Sequence, residues 1–138
     1  MLTLEEIKTE VDKLANILGV PASNLPTYGY SQQTGHPHVE IDSQGYYYAV
    51  FERGHIVKHH HTTDIDELLY YIFADVTFEL SIKYELTHRI KNQDSRRIWF
   101  EYQVRLLTML SPQWGLRETR EHESILAQHP FHDTTNEP

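Results

Sequence analysis

Apolar residues recur at helical spacing from the first turn of the chain. Leu4, Ile7, Val11, Leu14, Ala15 and Leu18 fall on one face of a 3.6-residue period. Thr3 and Glu6 have the spacing of a capping box, in which hydroxyl and carboxylate each take an orphan backbone donor. Gly19 and Pro21 predict the end of this helix, and residues 21–26 a loop. The period then changes to two. In HVEID, Val39 and Ile41 share one face while His38, Glu40 and Asp42 share the other. Ser43-Gln44-Gly45 predicts a turn, and YYYAVFER a second strand with Tyr47, Ala49 and Phe51 on one face and Tyr48, Val50 and Glu52 on the other. Gly54 permits another turn before a third strand, HIVKHHH, and a segment near residues 28–30 could add a fourth.

Beyond Thr63 the helical period returns. Thr63 or Asp64 predicts a cap, and Asp66 and Glu67 stand in the first turn, where the helix dipole favours negative charge. The pattern runs over residues 65–90 without glycine or proline, and its first half, LLYYIFADVTF, is apolar nearly all round, as in a buried helix. Asp94 or Ser95 predicts the cap of a third helix to about Leu110, with Trp99, Phe100, Leu106, Leu107 and Leu110 on one side. Ser111-Pro112 ends it, and a last helix over about residues 113–128 follows, with Pro112 able to open it. These elements predict an α+β fold: a small antiparallel sheet of three to four strands packed against a bundle of about four helices, one of them long and central. The 138 residues fit one domain, 1–138, with a polar, frayed tail over 133–138.

Charge and cysteine content narrow the function classes. A net charge of −8 repels phosphate backbones and anionic lipid, so neither nucleic acid nor membrane is expected as a ligand, whereas a basic protein partner is favoured. The absence of cysteine excludes disulfides, thiolate metal sites and a cysteine nucleophile. The N-terminus has acids where a signal peptide needs a basic region, and no run approaches the ~18 apolar residues of a membrane span, which points to the cytoplasm.

The run VKHHHTTDIDELLYY carries the most conspicuous chemistry. On a strand His59 and His61 share a face, and Asp64 could add a third ligand for zinc or nickel. The spacing matches no catalytic metal motif, however, and the acids are explained by the helix start. We therefore expect neither a metal nor a cofactor; a small metal-dependent enzyme using His59, His61 and Asp64 is the rival reading. Glu40, Asp42 and Glu52 could also approach across a hairpin for acid/base work, but carboxylates on paired strands are more often a solvated edge. A second polar cluster lies near the third helix. Arg96 and Gln103 fall on its apolar stripe, and Glu79 falls on a stripe of the preceding helix with Ile72, Val76, Leu86 and Ile90. A structural network is expected in which Arg96 or Arg97 pairs with Glu79 or Glu85 and Gln103 joins them.

The segments ERG at 52–54, TTDIDELLYYIF at 62–73, DVTFELSIKYELTHR at 75–89, RRIWFEYQVRLL at 96–107 and HPF at 129–131 resemble a family of bacterial immunity proteins of polymorphic toxin systems, immunity protein family sixty-three. The likeness covers roughly residues 37–133; Arg96, Arg97, Phe100 and Gln103 are its most specific part, and the histidine run falls between the segments that carry it. Such a resemblance implies a cytoplasmic, non-enzymatic protein without cofactor that binds and blocks a cognate secreted toxin. The second rival is a regulatory interaction module with no toxin. Residues 36–67 hold six acids, Glu40, Asp42, Glu52, Asp64, Asp66 and Glu67, against Arg53 and Lys58, so a basic, nuclease-like toxin is expected to dock there. Glu40, Asp42, Tyr46, Tyr48 and Glu52 are the expected contacts.

Overall fold

A computed structural model describes residues 1–134. In chain order the elements are α1 (Leu4–Leu18), a short 3-10 turn (Ala22–Asn24), β1 (Thr27–Tyr28), β2 (Thr34–Asp42), β3 (Gly45–Glu52), β4 (His55–Thr62), α2 (Ile65–Thr87), α3 (Arg96–Leu110) and α4 (Pro112–Gln128). The α+β class expected from the periodicity is what the chain adopts. It divides into two compact units, Met1–Phe73 and Ala74–Pro138; α2 contributes to both.

In the first unit, α1 starts on the capping box: Glu6 N donates to Thr3 Oγ1 (3.1 Å) and Thr3 N to Glu6 Oε1 (2.9 Å). Its C-cap, Gly19, is left-handed at φ 70°, and its N–H reaches Ala15 O and Asn16 O. The sheet has the order β1-β2-β3-β4. β2, β3 and β4 pair antiparallel, whereas β1 runs parallel to β2, so the sheet is mixed rather than a pure meander. Arg53 and Gly54, both at positive φ, form the β3–β4 turn, a geometry that suits the strand twist. Gln33 braces this turn by accepting from Arg53 N at its carbonyl (2.9 Å) and from Gly54 N at its side-chain oxygen (2.6 Å). Val39, Tyr46 and Tyr48 from the sheet, Ile7, Val11 and Ala15 from α1, and Leu68, Leu69, Ile72 and Phe73 from α2 are all buried. Removing this apolar area from water is the main stabilising term of the unit.

α2 begins as expected, with Asp64 Oδ1 accepting from Asp66 N (2.9 Å). Its later half departs from expectation. Glu79 and Leu86 are exposed, as is Ile90, which lies beyond the helix end at Thr87, and the buried positions of the second unit's α2 segment are Val76, Thr77, Ser81 and Glu85. Thr77, Ser81 and Glu85 recur every four residues, so the helix buries a row of polar side chains that an apolar periodicity does not register. Ser81 Oγ returns its proton to Thr77 O (2.6 Å), which removes the hydroxyl's demand for a partner elsewhere. Edge-on packing of Phe78 with Trp99 (5.2 Å) and stacking of Tyr84 on Tyr102 (3.8 Å) join this segment to α3.

α4 opens on Pro112, with Ser111 Oγ accepting from Trp114 N (3.4 Å). Its Gly115 is buried against α3: a Cβ there would lie 2.0 Å from Thr108 Oγ1 and 3.2 Å from Thr108 Cα. Gly115→Ala is therefore expected to lower stability by about 1–3 kcal/mol, although alanine is the better helix former by about 1 kcal/mol. Thermal unfolding checks this. Adding Thr108→Ala should recover part of the loss, and an unchanged loss would mean that the hydroxyl is not the obstacle.

Candidate functional site

The register of the sheet decides which candidate residues share a surface. Glu40 stands opposite Tyr47, which stands opposite His61; one step on, His38, Ala49 and His59 align. Alternation therefore puts Glu40, Asp42, Tyr47, His59 and His61 on one face and Val39, Tyr46, Tyr48 and Val50 on the other. Tyr46 and Tyr48 are only 2% and 1% exposed, which corrects the expectation that they anchor a partner. The phenol of Tyr46 instead accepts from Leu2 N (2.8 Å), and the ring of Tyr48 lies over His60 (6.5 Å). Glu52 is exposed but follows Tyr48 and Val50 in the alternation, so it does not join Glu40 and Asp42.

Tyr47 is the tyrosine that faces the acids. Its ring is flanked by His61 (4.8 Å) and His59 (5.6 Å), and its hydroxyl donates to the Asp42 carboxylate. Lost hydration pushes the phenol above its ordinary pKa, and the hydrogen bond to Asp42 and the charge of Asp42 add to it. Beneath lies His38, buried, with Nε2 2.6 Å from Glu40 Oε2 and its ring 5.3 Å from Phe51. Glu40 keeps half of its side chain exposed. No lysine or arginine from β2, β3 or β4 stands on this face, because Lys58 aligns with Val50 on the other. Two carboxylates, one phenol and exposed imidazoles make a negative, ring-rich surface.

Geometry argues against a metal at the histidine run. His61 Nε2 is 2.7 Å from Gln44 O; a carbonyl only accepts, so this nitrogen carries the hydrogen and only Nδ1 keeps a lone pair. Asp64 is engaged at the start of α2, and among the described residues no group of three histidine, aspartate or glutamate side chains converges.

In the second unit the polar network exists with other partners than expected. Arg96 holds Asp94, with Nη2 2.8 Å from Oδ2 and Nε 3.2 Å from Oδ1. It also donates to the carbonyls of His129 (2.8 Å) and Pro130 (2.9 Å). Arg97 pairs with Asp133 (3.0 Å) and lies 4.2 Å over the Phe131 ring. Glu85 accepts two bonds from Arg89 (2.9 and 2.8 Å), which hold its carboxyl below the usual range. Neither arginine meets Glu79 or Glu85. The reason is that Asp94 stands at the start of α3 and caps it by accepting from Arg96 N (3.0 Å), so the nearest carboxylate is local. Asp133, expected to begin a frayed tail, accepts from Asp94 N (2.8 Å); residues 135–138 lie outside the described residues.

Gln103 is buried, and its amide donates to Ala74 O (3.0 Å) and Thr77 Oγ1 (3.3 Å). That orientation turns Oε1 toward His122 Nε2 (3.0 Å), which also lies 3.1 Å from Glu118 Oε2. Both neighbours accept, so Nε2 carries the hydrogen. The His122 ring stacks on Phe100 at 3.9 Å. The sequence pointed to Gln103 and Phe100, and to Asp94 as a helix cap, but not to Asp94 as the partner of Arg96, nor to His122, Glu118 or Asp133. The i, i+4 spacing of Glu118 and His122 was the available signal.

Neither a curated protein nor a solved structure matches the chain, and among the described residues no helix is long and apolar enough to cross a membrane. The family described as Immunity protein 63 matches residues 42–124. The matched segment spans the histidine run as well as Arg96, Arg97, Phe100 and Gln103. Over more than half of its length the sequence fits that family, and the chain belongs to Immunity protein 63.

Proposed function

We propose that the protein is an antitoxin, which binds a cognate secreted toxin domain in the cytoplasm of a producing bacterium and blocks it without turning over a substrate or using a cofactor. Family membership is the observation that carries this reading. The match crosses the division between the two compact units, which supports treating the chain as one functional domain. Co-expression with the toxin domain of the neighbouring open reading frame tests the function: growth should be restored by this chain, and continued arrest with both proteins expressed would contradict it.

The sheet face bearing Glu40, Asp42 and Tyr47 is the proposed contact surface, with a basic toxin as its partner. Its support is the two carboxylates without a neighbouring strand cation and the half-buried ring between two imidazoles. Aromatic anchors within a polar rim are where binding energy concentrates. Reversing charge with Glu40→Lys and Asp42→Lys together is expected to weaken toxin binding on the order of 100-fold, about 2.7 kcal/mol. Calorimetry at two salt concentrations checks this. An unchanged affinity, with an unchanged circular dichroism spectrum, would remove this face from the interface.

A further inference from the structure

Resting on the reading that the chain binds a protein partner, we infer that the cleft between α3 and α4 is a second docking point, which takes an apolar side chain carried beside a lysine or arginine. The cleft has a volume of about 330 Å³, at the low end of the range of small-ligand pockets. Phe100, Val104, Leu126 and Phe131 supply its apolar surface. Phe131 is held in place by Arg97, 4.2 Å over its ring, and by the anchoring of its neighbours His129 and Pro130 to Arg96. A wall fixed before binding loses little entropy when an anchor enters.

Two polar groups at the cleft are already engaged. Thr119 Oγ1 donates to Gly115 O (2.9 Å), and His122 Nε2 is committed to Gln103 and Glu118. A polar metabolite would therefore find few partners, whereas an apolar side chain would displace water from apolar surface. The rim selects by charge. Glu101 on α3 and Glu123 on α4 are exposed at the cleft. Its cation, Arg97, is met by Asp133 at 3.0 Å, and Arg105 reaches Glu101 only at 3.9 Å. The opening thus presents net negative charge in a chain of net charge −8, so a second copy would be repelled and a basic segment attracted.

Two probes test this on the intact chain by amide chemical shifts: N-acetyl-leucyl-lysinamide and the leucyl-glutamate counterpart. The lysine peptide should give saturable shifts at Val104, Leu126 and Phe131 in the millimolar range, and bind about tenfold better than the glutamate peptide. The exposed pair Glu101→Lys and Glu123→Lys should invert that preference, and Val104→Trp, which fills the cleft, should abolish binding. Shifts absent from the cleft, or a preference untouched by the charge pair, would overturn the inference. In a parallel arm the neighbouring toxin domain is titrated. A loss of about tenfold or more in affinity with either variant supports the cleft as part of the interface, and equal affinity for wild type and both variants overturns it. If the peptide seats in the cleft while wild type fails to bind the toxin, the antitoxin reading falls and the docking point stands.

Discussion

Arg96→Met is expected to lower stability by about 2–3 kcal/mol, near the lower end for breaking a partly buried ion pair, or roughly 10 °C in melting temperature for a chain of this size. Methionine keeps most of the apolar stem, so the loss falls on the guanidinium. That group meets both oxygens of Asp94 and two carbonyls of the C-terminal segment, and it lies 5.5 Å over Phe131. Without it Asp94, whose side chain is 11% exposed, retains backbone donors alone from Arg96 and His132. The carbonyls of His129 and Pro130 are exposed and can turn to water, which keeps the cost from rising further. Amide exchange should locate the damage: protection at His132 and Asp94 should fall well before that of the α3 interior.

Acid adds a second signature to the same variant. The Arg96 hydrogen bonds hold the Asp94 carboxyl well below its ordinary range, and Arg97 does the same to Asp133. A depressed folded-state pKa gives stability that is complete above the unfolded value, about 3.9, and is lost as pH falls through the folded value. The stability gap between wild type and Arg96→Met should therefore narrow as acid is added below about pH 4. A gap constant down to acid unfolding would mean that the Asp94 pair contributes nothing.

Gln103→Leu should cost a similar amount, about 3 kcal/mol, because it strips a buried donor and a buried acceptor at once. Leucine fills nearly the same space but leaves Ala74 O and Thr77 Oγ1 without the amide, and His122 without Oε1. His122→Phe alone should also destabilise, since it withdraws the imidazole from Glu118 while keeping a ring against Phe100. Made together, the two substitutions remove both ends of one hydrogen bond, and the double-mutant cycle should show a coupling of at least about 1 kcal/mol. Strict additivity would mean that Gln103 and His122 act separately.

What could be read from the sequence was mostly local. The Thr3–Glu6 box, the Asp64 cap and the Pro112 start depend on residues a few positions apart, so their spacing carries the information. The tyrosines show where that ends. Alternation separated Tyr47 from Tyr48, but which face is buried depends on what packs against the sheet, and Tyr46 and Tyr48 proved to be the inward pair. Arg96 reaches carbonyls more than 30 residues away at His129 and Pro130, a contact no periodicity encodes. The later half of α2 misled for the opposite reason: Leu86 looks like core and is exposed, while Thr77 and Ser81 look like surface and are buried.

Titrating the purified neighbouring toxin domain with this chain, while following toxin activity, tests the central claim most directly. Activity should fall in a straight line to its floor at one equivalent, as for tight one-to-one occlusion. Full toxin activity in the presence of excess chain would contradict it.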